Sequence, residues 1–170
     1  MMLIHGPAGF GKSTLAAQWA DDLAFEGVRV AWLSVDHDDV NVVWFMSHVI
    51  DANRGLHPDV AADLAQILEE RSSDAARNVL GILLDEIHNR GEPVALVVDD
   101  WHLVTSLATV AAMESLLDRD CHHLQLIITS RSRKHLPLGR MRVRDELVKI
   151  DEAALRFDDA ETASFVAHCR

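Results

Sequence analysis

Short apolar runs alternate along this chain with segments whose apolar residues recur at helical spacing. Met2–His5, Val28–Val35, Pro93–Asp100 and Leu124–Ser130 are runs of four to eight residues, rich in Val, Ile and Leu and without polar alternation. That pattern predicts strands covered on both faces, as in a parallel sheet sandwiched by helices. Glu146–Ile150 is a fifth, weaker run. Between the runs, Leu15, Trp19 and Leu23 recur every four residues, and Val42, Phe45, Met46, Val49 and Ile50 mark one helical face. Val60, Leu64, Ile67 and Leu68 mark another, and Ala76, Val79, Leu80, Leu83 and Ile87 a third, closed by a stop signal at Asn89-Arg90-Gly91. A further helix is expected over Leu107–Leu117. A last one is expected from Asp158, with Glu161 three residues on in the manner of a capping box. Strand–helix alternation without a repeat period or internal linker predicts one doubly wound α/β domain over residues 1–170.

Composition narrows the class. The 170 residues suffice for one full core. Sixteen basic residues stand against 27 acidic ones, a net charge of -11, which argues against nucleic acid as a partner of the segment as a whole. Cys121 and Cys169 have no CxxC spacing, so neither a disulfide framework nor a zinc knuckle organises the fold. His122-His123 reads as a loop pair rather than a metal site. No apolar stretch reaches the roughly 20 residues that span a bilayer, so no membrane partner is expected. The amino terminus enters a motif by its sixth residue, and cytoplasmic localisation is the expectation. Trp19 and Trp44 lie on apolar helix faces and are assigned to the core, whereas Trp101 follows an acid pair and is left open between core and site.

The motif is Gly6-Pro7-Ala8-Gly9-Phe10-Gly11-Lys12-Ser13-Thr14, which fits G-x-x-x-x-G-K-[ST] between an apolar strand and an amphipathic helix. Its glycines let the backbone wrap a phosphate with N–H groups inward, and the helix that starts there offers unpaired N–H groups and a positive dipole end. Lys12 reaches the β- and γ-phosphates of a nucleotide, and the Ser13 hydroxyl is a hard ligand for Mg²⁺. The run Ala95–Val98 ends in Asp99 and Asp100. Asp99 is placed as the Mg²⁺ carboxylate, and Asp100 as the group that orients or deprotonates the attacking water. Thr129, Ser130 and Arg131 follow the apolar run Leu126–Ile128, and strand carboxyl ends are where ligands gather in open α/β sheets. Arg131 is placed against the γ-phosphate. Six of the sixteen basic residues fall between Arg131 and Arg144. The other five (Arg133, Lys134, Arg140, Arg142 and Arg144) read as a solvated loop or a docking face for another domain.

These segments, in this order, resemble the nucleotide-binding core of STAND-class signalling ATPases, in the MalT-like branch of bacterial regulators. The resemblance rests on GPAGFGKSTLAAQWA, VAWLSVD, ALVVDDWH, LIITSR and ALRFDDAETASF, and covers nearly the whole chain. It implies a P-loop three-layer sandwich, with a mostly parallel five-stranded sheet and helices on both faces. It also implies an ATP/ADP switch with Mg²⁺, slow hydrolysis and nucleotide-dependent self-association. Lys12 and Ser13 match the family's phosphate-loop positions, Asp99 the Mg²⁺ position and Arg131 the sensor position. The implied partners are other domains of the same chain: helical, winged-helix, sensor or effector modules, the last occasionally a protein kinase.

Five residues precede Gly6 and the sequence stops at Arg170. The expectation is therefore an excised piece of a larger regulator, with its phosphate and metal sites complete and its adenine site and output elsewhere. Such a piece should bind nucleotide weakly and hydrolyse it slowly. Two other readings stay open. One is a P-loop small-molecule kinase with the basic loop as its lid. The other is a non-hydrolysing interaction domain whose nucleotide is structural.

Overall fold

A computed structural model describes residues 1–36, 42–54, 58–68, 73–119, 121–136, 138, 146–157 and 161. Five strands form one sheet: β1 (Met2–His5), β2 (Arg29–Ser34), β3 (Val94–Asp99), β4 (Leu124–Ser130) and β5 (Val148–Ile150). Their spatial order is β2-β3-β4-β1-β5, and every neighbouring pair is parallel. The expected sheet is thus all-parallel rather than mostly so. The reason lies in the connections: each strand returns to the same end of the sheet before the next begins, and most do so through a helix.

The helices are α1 (Lys12–Phe25), α2 (Val42–Arg54), α3 (Pro58–Leu68), α4 (Ser73–Arg90), α5 (Leu107–Asp118) and the short α6 (Glu152–Leu155). Alternate strand residues serve opposite faces. Leu3, Leu33, Leu96, Val98, Leu126 and Ile128 join the larger core with the apolar faces of α2, α3, α4 and α5. Ile4, Val97 and Ile127 turn the other way and pack with Ala16 and Ala20 of α1. β3 is buried at all six positions, which explains why its sequence shows no polar alternation.

Helix ends follow local chemistry. The N–H of Gly91 bonds the carbonyls of Ile87 and His88, closing α4 where the stop signal stood. Ser106 caps α5 by accepting a hydrogen bond from the Thr109 N–H at 3.3 Å. Trp19 is half-buried against the smaller core. The Trp44 side chain and the helix expected from Asp158 lie outside the described residues, apart from Glu161, which is helical. α6 was not anticipated. Its Leu155 sits close enough to the start of the glycine loop that a Cβ on Gly6 would meet Leu155 Cδ1 at 3.2 Å. Among the described residues no helix is long and apolar enough to cross a membrane.

Candidate functional site

An all-parallel sheet brings the carboxyl ends of its strands to one edge. Here the loop after β1, the acids ending β3 and the residues ending β4 meet at that edge. β4 lies between β1 and β3, with Ile4 opposite Thr129 and Val98 opposite Ile128.

The glycine loop is built for close approach by a ligand. Gly9 and Gly11 have φ of 81° and 71°, and a Cβ at either would meet nothing within 4 Å. The glycines therefore answer to backbone conformation, with open space outside them rather than packed neighbours. Gly11 is also the residue before α1, and no side chain caps that helix. The first N–H groups of α1 are left for an anion. Pro7, Ala8, Gly9, Gly11 and Thr14 are exposed, while Gly6 is buried and Phe10 and Ser13 are half-buried.

Lys12 is only 6% exposed, yet it makes no ion pair among the described residues. Its ammonium donates instead to the carbonyl of Pro7 at 2.8 Å, folding back over the loop. Burial lowers its pKa from the ordinary lysine value, and the Arg131 guanidinium pushes the same way, while Asp100 and Asp99 pull it back up. A buried cation held by one neutral carbonyl is under-compensated, and an entering anion would supply the missing charge.

Asp99 is 8% exposed at the end of β3. Ser13 Oγ donates to Asp99 Oδ1 at 2.9 Å, and Thr129 Oγ1 donates to the same oxygen. Oδ2 has no hydrogen bond among the described residues. One hydroxyl and one carboxylate, side by side with an oxygen to spare, form a hard-oxygen pair that suits Mg²⁺. Thr129 is fully buried, and its Oγ1 also accepts from the backbone N–H of Asp100 at 3.0 Å. It therefore ties both acids to β4. In the sequence Thr129 stands at the carboxyl end of its strand, at the edge of the site, with no motif role of its own. A Thr near the carboxyl end of an apolar strand run was the available signal.

Asp100 has φ 58° and ψ 37°, a left-handed conformation uncommon for a non-glycine residue. It precedes a single 3-10 turn over Trp101–Leu103. Trp101 points into the core with no exposed surface and meets Phe45 edge-on, centroids 5.9 Å apart. Trp101 is a core residue, which resolves the question its position raised. Arg131 is exposed just beyond β4, near enough to Lys12 and His102 to act on both electrostatically. Arg133 and Lys134 are exposed as well, whereas Arg140, Arg142 and Arg144 lie outside the described residues.

Residues 1–128 match the family described as AAA ATPase domain. The chain belongs to that family. A serine/threonine-protein kinase, PknK of Mycobacterium tuberculosis, is 54% identical over 166 residues, covering 98% of this chain and 15% of the kinase. The HTH-type transcriptional regulator MalT of Yersinia pestis is 35% identical over 173 residues, covering all of this chain and 18% of the regulator. MalT of Vibrio cholerae is 30% identical over 166 residues, covering 97% of this chain and 18% of the regulator. The chain thus spans less than a fifth of the length of these relatives. Among solved structures, Cdc6p from Pyrobaculum aerophilum superposes on 88% of this AAA ATPase chain and 38% of its own, with a TM-score of 0.50 and 15% identity. Likeness at that identity speaks to the fold alone.

Proposed function

We propose that this AAA ATPase domain binds ATP with Mg²⁺ and hydrolyses it slowly, as the switch of a multidomain regulator. The observation that carries the reading is the contact of Ser13 Oγ with Asp99 Oδ1 at 2.9 Å, beside a buried Lys12 whose hydrogen bond among the described residues goes to a loop carbonyl. It joins two segments 86 residues apart in sequence into one cation-and-carboxylate site facing the open glycine loop.

In this reading the loop Gly6–Thr14 holds the phosphates through its N–H groups after Pro7, the Gly6 N–H being taken by the Ser130 carbonyl, and Lys12 leaves the Pro7 carbonyl to meet the β- and γ-oxygens. Ser13 and Asp99 would hold Mg²⁺, which supplies positive charge to phosphate oxygens when bound. Asp100 takes a proton from the attacking water or fixes its orientation, and Arg131 approaches the γ-phosphate from the β4 side. The same module is similar to segments of a protein whose name says kinase and of proteins whose name says transcriptional regulator. Attachment to different outputs suits a switch better than a metabolic catalyst. The kinase alternative is less well served, because residues 42–54, 58–68 and 73–90 are helices whose described apolar faces enter the core.

Calorimetry tests the reading. Lys12→Ala should weaken ATP binding by at least about tenfold, the scale of a lost charge-assisted hydrogen bond. Unchanged affinity would discard the assignment. ADP formation and phosphate release from the unmodified chain, measured together with and without sugars and nucleosides, separate the two: equal amounts mark transfer to water, and ADP in excess of phosphate with an acceptor present marks a small-molecule kinase.

A further inference from the structure

In the sequence His102 stands only within the segment ALVVDDWH, and the structure gives it a setting of its own. Its side chain is 13% exposed, and its Nδ1 is buried without a hydrogen bond among the described residues. That atom lies 3.6 Å from Asp100 Oδ1, just beyond hydrogen-bond reach. The carboxylate is the freer partner, with its side chain 35% exposed. The imidazole is the fixed one. Its turn is closed by Leu103 N–H to Asp100 O and Val104 N–H to Trp101 O, each at 3.0 Å, and is anchored by the buried Trp101.

We infer that His102 is a positioning residue for Asp100: its Nδ1–H grips one carboxylate oxygen and leaves the other to hold the attacking water. A small rotation of the Asp100 side chain closes the gap, while the backbone of Asp100 is already pinned by Thr129. Burial favours the neutral imidazole, with Arg131 after β4 and Lys12 on α1 acting in the same sense and Asp100 and Asp99 opposing. A neutral ring has one N–H to place, and among the described residues the Asp100 carboxylate, 3.6 Å away, is the side-chain acceptor beside Nδ1, a few tenths of an ångström short of a hydrogen bond. Gripping one oxygen would hold a partly exposed carboxylate in one orientation, and orientation of that kind is worth much in rate and little in substrate affinity.

The inference rests on the ATP-hydrolysis reading for the role it gives Asp100, so its test has two arms. In the first, ATP affinity and single-turnover phosphate release are measured on the same samples. His102→Leu should slow release by about 10- to 100-fold with ATP affinity within about twofold. His102→Asn, which keeps an N–H near the place of Nδ1, should recover most of the rate. Equal loss in both variants, or loss of binding in step with rate, would overturn the inference. In the second arm, ¹⁵N shifts of the His102 ring report its tautomer without any turnover. Protonation at Nδ1 in the unmodified chain with Mg²⁺ and ATP, reverting to Nε2 in Asp100→Ala, supports the pairing. An Nε2–H ring in the unmodified chain refutes it. If the chain binds ATP and releases no phosphate, the hydrolysis reading falls, and the tautomer alone decides the pairing.

Discussion

At the residue scale, the site is a set of short-range partnerships around Asp99. Two hydroxyls, from Ser13 and Thr129, converge on one of its oxygens. Asp99→Asn keeps the shape and an acceptor oxygen but removes the charge that a divalent cation needs. The fold should survive with its melting temperature nearly unchanged, and calorimetric ATP affinity should lose its dependence on Mg²⁺. Retained Mg²⁺ dependence would assign the metal elsewhere. Lys12, Ser13, Asp99 and Asp100 are candidates that the sequence alone offers, because each sits in a motif whose spacing is itself chemical, and the structure brings Ser13 to Asp99. Thr129 and His102 were not given roles. Each acts through a neighbour 30 residues away or across a turn, and side-chain type alone does not say which oxygen a hydroxyl or imidazole will find.

At the element scale, apolar periodicity located the helices and strands well, since burial on one face imposes a spacing that survives in the sequence. β1 and β4 coincide with their apolar runs, and α4 ends beside the predicted stop. α6 escaped notice because four residues are too few to show a helical period. The 3-10 turn escaped for the same reason, although it aims Asp100 and His102. Trp101 is its anchor, and the prediction belongs there. Trp101→Ala should cost about 3–5 kcal/mol of unfolding free energy in denaturant titrations. Trp101→Phe should cost less than about 1.5 kcal/mol, because it retains the edge contact with Phe45 and removes an indole N–H that has no partner among the described residues. Similar losses for both variants would show that shape, rather than apolar volume, holds the turn.

At the scale of the whole molecule, a chain of net charge -11 must gather its few useful cations where an anion is to bind. It does so by bringing Lys12 and Arg131, more than a hundred residues apart, to the same end of the sheet. If Arg131 distinguishes the nucleotides by their γ-phosphate, Arg131→Ala should weaken ATP by about tenfold and leave ADP within about twofold. Equal weakening of both would make Arg131 a general steering charge, and the switch would need another sensor. The sequence by itself determined the class of fold and singled out the glycine loop and the acid pair as candidates, because local spacing and burial pattern are written residue by residue. Sequence reasoning sets β4 beside the strand carrying Asp99; only the tertiary structure decided that β4 also pairs with β1, so that Thr129 ties both acids to it and Arg131 emerges at the same end of the sheet as Lys12. Strand order is set by how helices pack across a finished sheet, and no run of neighbouring residues carries that information.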